Sequence, residues 1–71
     1  MKKEFTLIDL DCAHCALIME KNITKKLGVT ASIDFMAQKL IVESETEIDD
    51  KMIDEMQKII KKVEPDCKID Y

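Results

Sequence analysis

The apolar residues of this chain switch between two spacings, and that alternation limits the folds open to it. Val29, Ala31, Ile33 and Phe35 alternate with Thr30, Ser32 and Asp34, which predicts a strand with one buried face. Phe5 to Leu10 carries apolar residues on both parities and reads as a central strand covered on at least one face. Lys39 to Glu43, with Leu40, Ile41 and Val42, is a further strand, joined to its predecessor as a hairpin across Met36-Ala37-Gln38. Cys67, Ile69 and Tyr71 alternate with Lys68 and Asp70 as a last short strand. The other spacing is helical. Ala16, Met19, Ile23 and Leu27 share one helix face, with Asp11 at the N-cap position and Gly28 as the C-terminal stop. Met52, Ile53, Met56, Ile59, Ile60 and Val63 mark a second helix. Asp49 and Asp50 at its start and Lys58, Lys61 and Lys62 near its end match the helix dipole, and Pro65 prevents it from continuing.

Strand, helix, strand, strand, helix, strand is the split βαβ order of the ferredoxin-like α+β fold, with two helices on one face of a four-stranded antiparallel sheet. Seventy-one residues suffice for one such domain, spanning 1–71, and leave little room for a deep substrate cavity. A self-sufficient enzyme is therefore not expected. The formal charge of −4, from 11 basic and 15 acidic residues, argues against nucleic acid, whose phosphates require clustered Lys and Arg. No window approaches the apolar length of a membrane span. Glu4 and Asp9 interrupt what would be the apolar part of a leader after Lys2-Lys3.

The cysteines number 3, an odd count that fits reduced cytosolic thiols better than a disulfide scaffold. Cys12 and Cys15 lie between the first strand and the first helix, in Asp11-Cys12-Ala13-His14-Cys15. Thiols at this spacing on a turn converge on one metal ion, and the N-terminus of a helix favours their thiolate form. The same spacing serves thiol redox chemistry, so residues alone leave metal capture and a dithiol pair both open. Asp11 combines cap and ligand chemistry, and His14 is a further nitrogen donor that is expected to point outward. Cys67 reads first as a small core residue of the last strand. In this topology the turn before that strand lies at the same end as the Cys12 loop, which makes Cys67, Glu64 and Asp66 additional donor candidates. Met19, Met52 and Met56 are expected in the core, whereas Leu17 and Ile18 point away from it, beside the cysteine loop.

Leu10-Asp11-Cys12-Ala13-His14-Cys15-Ala16, followed by Met19-Glu20 and Ile23, resembles the heavy-metal-associated domain. Leu27-Gly28-Val29, Ile33-Asp34-Phe35 and Lys39-Leu40-Ile41-Val42 carry the resemblance over nearly the whole chain. It implies a cytoplasmic metal-binding domain, either a stand-alone metallochaperone or the N-terminus of a metal-transporting P-type ATPase. ATPase domains, in cis or in trans, would be its partners. Copper-binding members usually carry Met-Thr before the first cysteine and often Gly-Tyr before the last strand. Here Leu10-Asp11 and Glu64-Pro65-Asp66 stand there. The Asp-Cys-x-x-Cys form is similar to the N-terminal domains of zinc, cadmium and lead exporting ATPases. The resemblance thus implies one Zn(II), Cd(II) or Pb(II) ion in preference to Cu(I), on Cys12 and Cys15 with Asp11 as third ligand. Zn(II) accepts carboxylate oxygen beside sulfur, which suits that set. The alternatives are a Cu(I) chaperone or copper ATPase domain and, in another class, a small dithiol oxidoreductase. A monomer is expected, with a dimer sharing the ion between two loops as the other arrangement.

Overall fold

The computed structural model describes residues 1–70. In chain order it contains β1 (Lys2–Ile8), α1 (Ala13–Leu27), β2 (Thr30–Asp34), β3 (Lys39–Glu43), α2 (Asp50–Val63) and β4 (Lys68–Asp70). The strands form one four-stranded sheet in the order β2-β3-β1-β4, every neighbouring pair antiparallel. This is the ferredoxin-like arrangement that the spacing predicts. Tyr71, assigned by alternation to the last strand, lies outside the described residues.

Register sorts the apolar residues onto one face. Phe5 pairs with Leu40 and Leu40 with Ile33, while Leu7 pairs with Ile69. Directly opposed residues of an antiparallel pair share a face, and this one meets Ala16, Met19 and Ile23 of α1 and Ile53, Met56, Ile59 and Ile60 of α2. The opposite face is open to solvent, and Ile8 on it is 43% exposed. The apolar residues on both parities of β1 therefore reflect one covered face and one exposed isoleucine.

β1 runs from Lys2 and stops at Ile8, where Phe5 to Leu10 was expected. Asp9 is the reason. It takes the left-handed conformation, φ 62°, which Asp tolerates better than most residues and which ends regular pairing. Leu10 is still buried. Gly28 caps α1 at φ 67°, and Asp49 caps α2, its Oδ1 accepting from the Met52 N–H at 2.9 Å.

Each outer strand has a backbone group at its free edge bonded to a helix side chain. Glu20 of α1 accepts from the Ile33 N–H of β2. Gln57 of α2 donates to the Cys67 carbonyl at 3.2 Å and accepts from the Ile69 N–H of β4 at 2.8 Å. Occupied edge groups are unavailable for pairing with another chain.

The β1–α1 loop, the β2–β3 turn and the α2–β4 turn gather at one end of the sheet. The Leu7 N–H donates to the Gln38 carbonyl at 2.8 Å, and the Asp11 N–H donates to Glu64 Oε1 at 3.2 Å.

Candidate metal centre

Cys12, with extended backbone (φ −125°, ψ 112°), is the N-cap of α1. Its Sγ accepts from the Cys15 N–H at 3.1 Å, and its carbonyl accepts from the Ala16 N–H at 3.1 Å. The sulfur does for this helix what a Ser or Asp oxygen does for others. Asp11 was expected at the cap. It stands one residue earlier, because Cys12 Sγ takes the capping bond and the helix starts at Ala13, and it is exposed.

Capping makes the two thiols unequal. The Cys12 thiol is pulled below its usual range, chiefly by a hydrogen bond from the Cys15 thiol and then by the Cys15 N–H. Cys15 is pushed up to about 11, first because it donates that bond, then by burial and by the charges of Cys12 and Glu64. Of the two, Cys12 is the more acidic thiol and Cys15 the one that keeps its proton. Both residues are half-buried, so the pair is reachable from solvent.

Glu64 is the carboxylate whose charge is felt by both thiols of the pair. Oε1 accepts the Asp11 N–H, while Oε2 is buried and has no hydrogen-bond partner among the described residues. Its charge opposes thiolate formation at Cys12, Cys15 and Cys67 alike. A buried carboxylate oxygen without a protein donor is met by a water or by a cation.

Cys67 is fully enclosed, and burial, with the charges of Glu64, Asp9 and Asp11, pushes its thiol up to about 11. His14, in the first turn of α1, is exposed, as are Asp11 and Asp66. The structure thus brings together Cys12 and Cys15 and ties Glu64 to the same loop through the Asp11 N–H. Among the described residues, no group of three or more His, Cys, Asp and Glu side chains is already arranged to hold an ion. Met19 and Met56 are in the core, with Met52 packed against it, as expected. Leu17 is 57% exposed, while Ile18 is half-buried.

Spacing did not reveal Gln38. This half-buried residue has φ 56°, and its side-chain amide bonds the backbone of Leu10, two residues before Cys12. Glutamine between a turn and a strand carries no sequence signal for such a bond.

No family model and no curated protein matches the chain. Solved structures do. The CopZ metallochaperone superposes with a TM-score of 0.70 at 16% identity, over 99% of this chain and 100% of that one. The yeast copper transporter domain Ccc2a gives a TM-score of 0.72 at 18% identity, over 99% and 94%. A third chain, solved in work on crosstalk between Cu(I) and Zn(II) homeostasis, gives 0.69 at 17% identity, over 99% and 96%. At these identities the likeness establishes the shared fold.

Proposed function

We propose that this chain is a heavy-metal-associated domain that binds one soft or borderline metal ion at Cys12 and Cys15 and passes it on by ligand exchange. The observation that carries the proposal is the half-buried Cys12–Cys15 pair at the start of α1, on a loop that also holds Glu64, whose Oε2 is buried without a partner among the described residues. Two thiolates are the minimum for a soft ion, and their exposure on a loop lets an incoming thiolate attack and an outgoing one leave. Partners of the proposed kind are metal-transporting P-type ATPase domains, in cis or in trans. The reading places the domain in the cytoplasm as a monomer, with no catalysis of its own.

Zn(II), Cd(II) or Pb(II) is the proposed cargo. Two thiolates neutralise a divalent ion, and an oxygen donor can then complete the site. Bound to Cu(I), the same thiolates already leave a net negative charge, and a nearby carboxylate adds repulsion. Glu64 supports the divalent choice, and so does Asp11, whose exposed carboxylate is free of capping duty. Asp11 and Glu64 are both proposed oxygen donors. Cys67 and His14 are left out of the working set, since Cys67 serves the core and His14 faces solvent.

A competition between Zn(II) and Cu(I), each buffered by a chelator, tests the cargo. Glu64→Gln and Asp11→Asn should each weaken Zn(II) binding by on the order of tenfold or more and leave Cu(I) binding unchanged or tighter. Equal Zn(II) affinity in both variants and the parent removes the carboxylates from the site. Cu(I) is the second reading, favoured by the structural likeness to two chains described as a metallochaperone and a copper transporter domain. Tight Cu(I) binding with weak Zn(II) binding would select it. If neither ion binds and the pair cycles between dithiol and disulfide, a dithiol oxidoreductase is the remaining account.

A further inference from the structure

We infer that Gln38 is a positioning residue for the metal loop, setting how fast the ion leaves; this rests on the metal-carrier reading above. Regular pairing of β1 ends at Ile8, and the left-handed Asp9 turns the chain away from the sheet. The backbone of Leu10 would be left without a strand partner. Gln38 supplies one from its side chain. Its Nε2 donates to the Leu10 carbonyl at 2.9 Å and its Oε1 accepts from the Leu10 N–H at 3.2 Å, so one amide forms both bonds that a β neighbour would form.

Gln38 is itself held. Its Nε2 also donates to the Phe35 carbonyl at 2.9 Å, its N–H donates to the same carbonyl at 3.3 Å, and its carbonyl accepts from the Leu7 N–H. It keeps this place at φ 56°, a conformation that costs an ordinary side chain free energy and that a glycine would adopt without strain. The clamp therefore anchors the loop on the N-terminal side of Cys12, and the α1 cap anchors it on the other side. A loop ordered before the ion arrives loses less conformational freedom on binding, and outer residues that orient ligands control metal affinity.

Gln38→Gly is the informative variant, because it removes the amide while easing the backbone. Cd(II) should leave this variant for excess chelator on the order of tenfold faster than the parent, with affinity lower by a similar factor. The far-UV circular dichroism of the apo protein should be unchanged. A dissociation rate and affinity within about twofold of the parent, in a folded variant, overturn the role. If the variant does not fold, amide hydrogen exchange of the unsubstituted apo protein decides. A Leu10 N–H protected well below the rate of an unstructured chain supports the clamp, and a freely exchanging one overturns it. If the parent itself binds no Cd(II), the metal-carrier reading fails and the positioning role fails with it. That result is distinct from a parent that binds and a variant that behaves identically.

Discussion

At the scale of single residues, Cys12 and Cys15 occupy equivalent places in the motif and different electrostatic states. Cys12 caps the helix and is the more acidic thiol, whereas Cys15 holds a proton up to about pH 11. Iodoacetamide near neutral pH should therefore modify Cys12 first, Cys15 more slowly and Cys67 only after unfolding, as read by peptide mass spectrometry. Faster modification of Cys15 would reverse the assignment. Since Cys15 must lose its proton to bind metal, uptake should release a proton and metal affinity should rise with pH below about 11. Cys67 supplies a stability prediction with a definite sign. Its folded value lies above its ordinary one, so its contribution is complete below about pH 9 and disappears as pH rises through about 11. The apo domain should lose stability across that window in denaturant titrations, and Cys67→Val should reduce the loss, leaving the share due to Cys15. The thiol pair was legible in the sequence because local spacing brings the sulfurs together. Glu64 was legible only as a donor at the right end of the fold. Its bond to Asp11 spans 53 positions, and which thiol ionises depends on which residue caps the helix.

At the scale of elements, the second helix was the most legible, because its period is clean and its ends carry their own chemistry in Asp49 and Pro65. Asp49→Ala should cost about 1 kcal/mol by losing the bond to the Met52 N–H. Met56→Ala should cost about 2–5 kcal/mol, since Met56 is fully buried between α2 and the sheet. Urea titration checks both, and an unchanged midpoint for Met56→Ala would contradict the packing. Gly28→Ala separates conformation from crowding: an added Cβ meets nothing within 4 Å, so the expected loss of about 1 kcal/mol is the strain of a left-handed alanine. The first strand was less legible. Its buried face is Phe5 and Leu7, but the sequence continues apolar to Leu10, and nothing in that run marks Asp9 as the residue that leaves the sheet. The edge bonds of Glu20 and Gln57 were also hidden, because each joins a helix to a strand distant in sequence.

At the scale of the whole molecule, a small core and an ion at one end predict strong linkage between binding and folding. A ligand at about 100 times its Kd adds about 2.7 kcal/mol to the folded state. For a domain of this size each kcal/mol moves Tm by roughly 4–8 °C. Calorimetry with buffered Cd(II) should therefore show a rise on the order of ten degrees, reduced by whatever the unfolded thiols bind. No helix is long and apolar enough to cross a membrane among the described residues. Cd(II) titration of the reduced protein tests whether Cys12 and Cys15 together take up one metal ion. Followed by thiolate-to-metal charge-transfer absorbance, the titration should saturate at one ion per chain. Cys12→Ser or Cys15→Ser should abolish the tight phase, and Cys67→Ala should leave it intact. Absence of the band in the parent, or its survival without Cys12 or Cys15, would contradict the account.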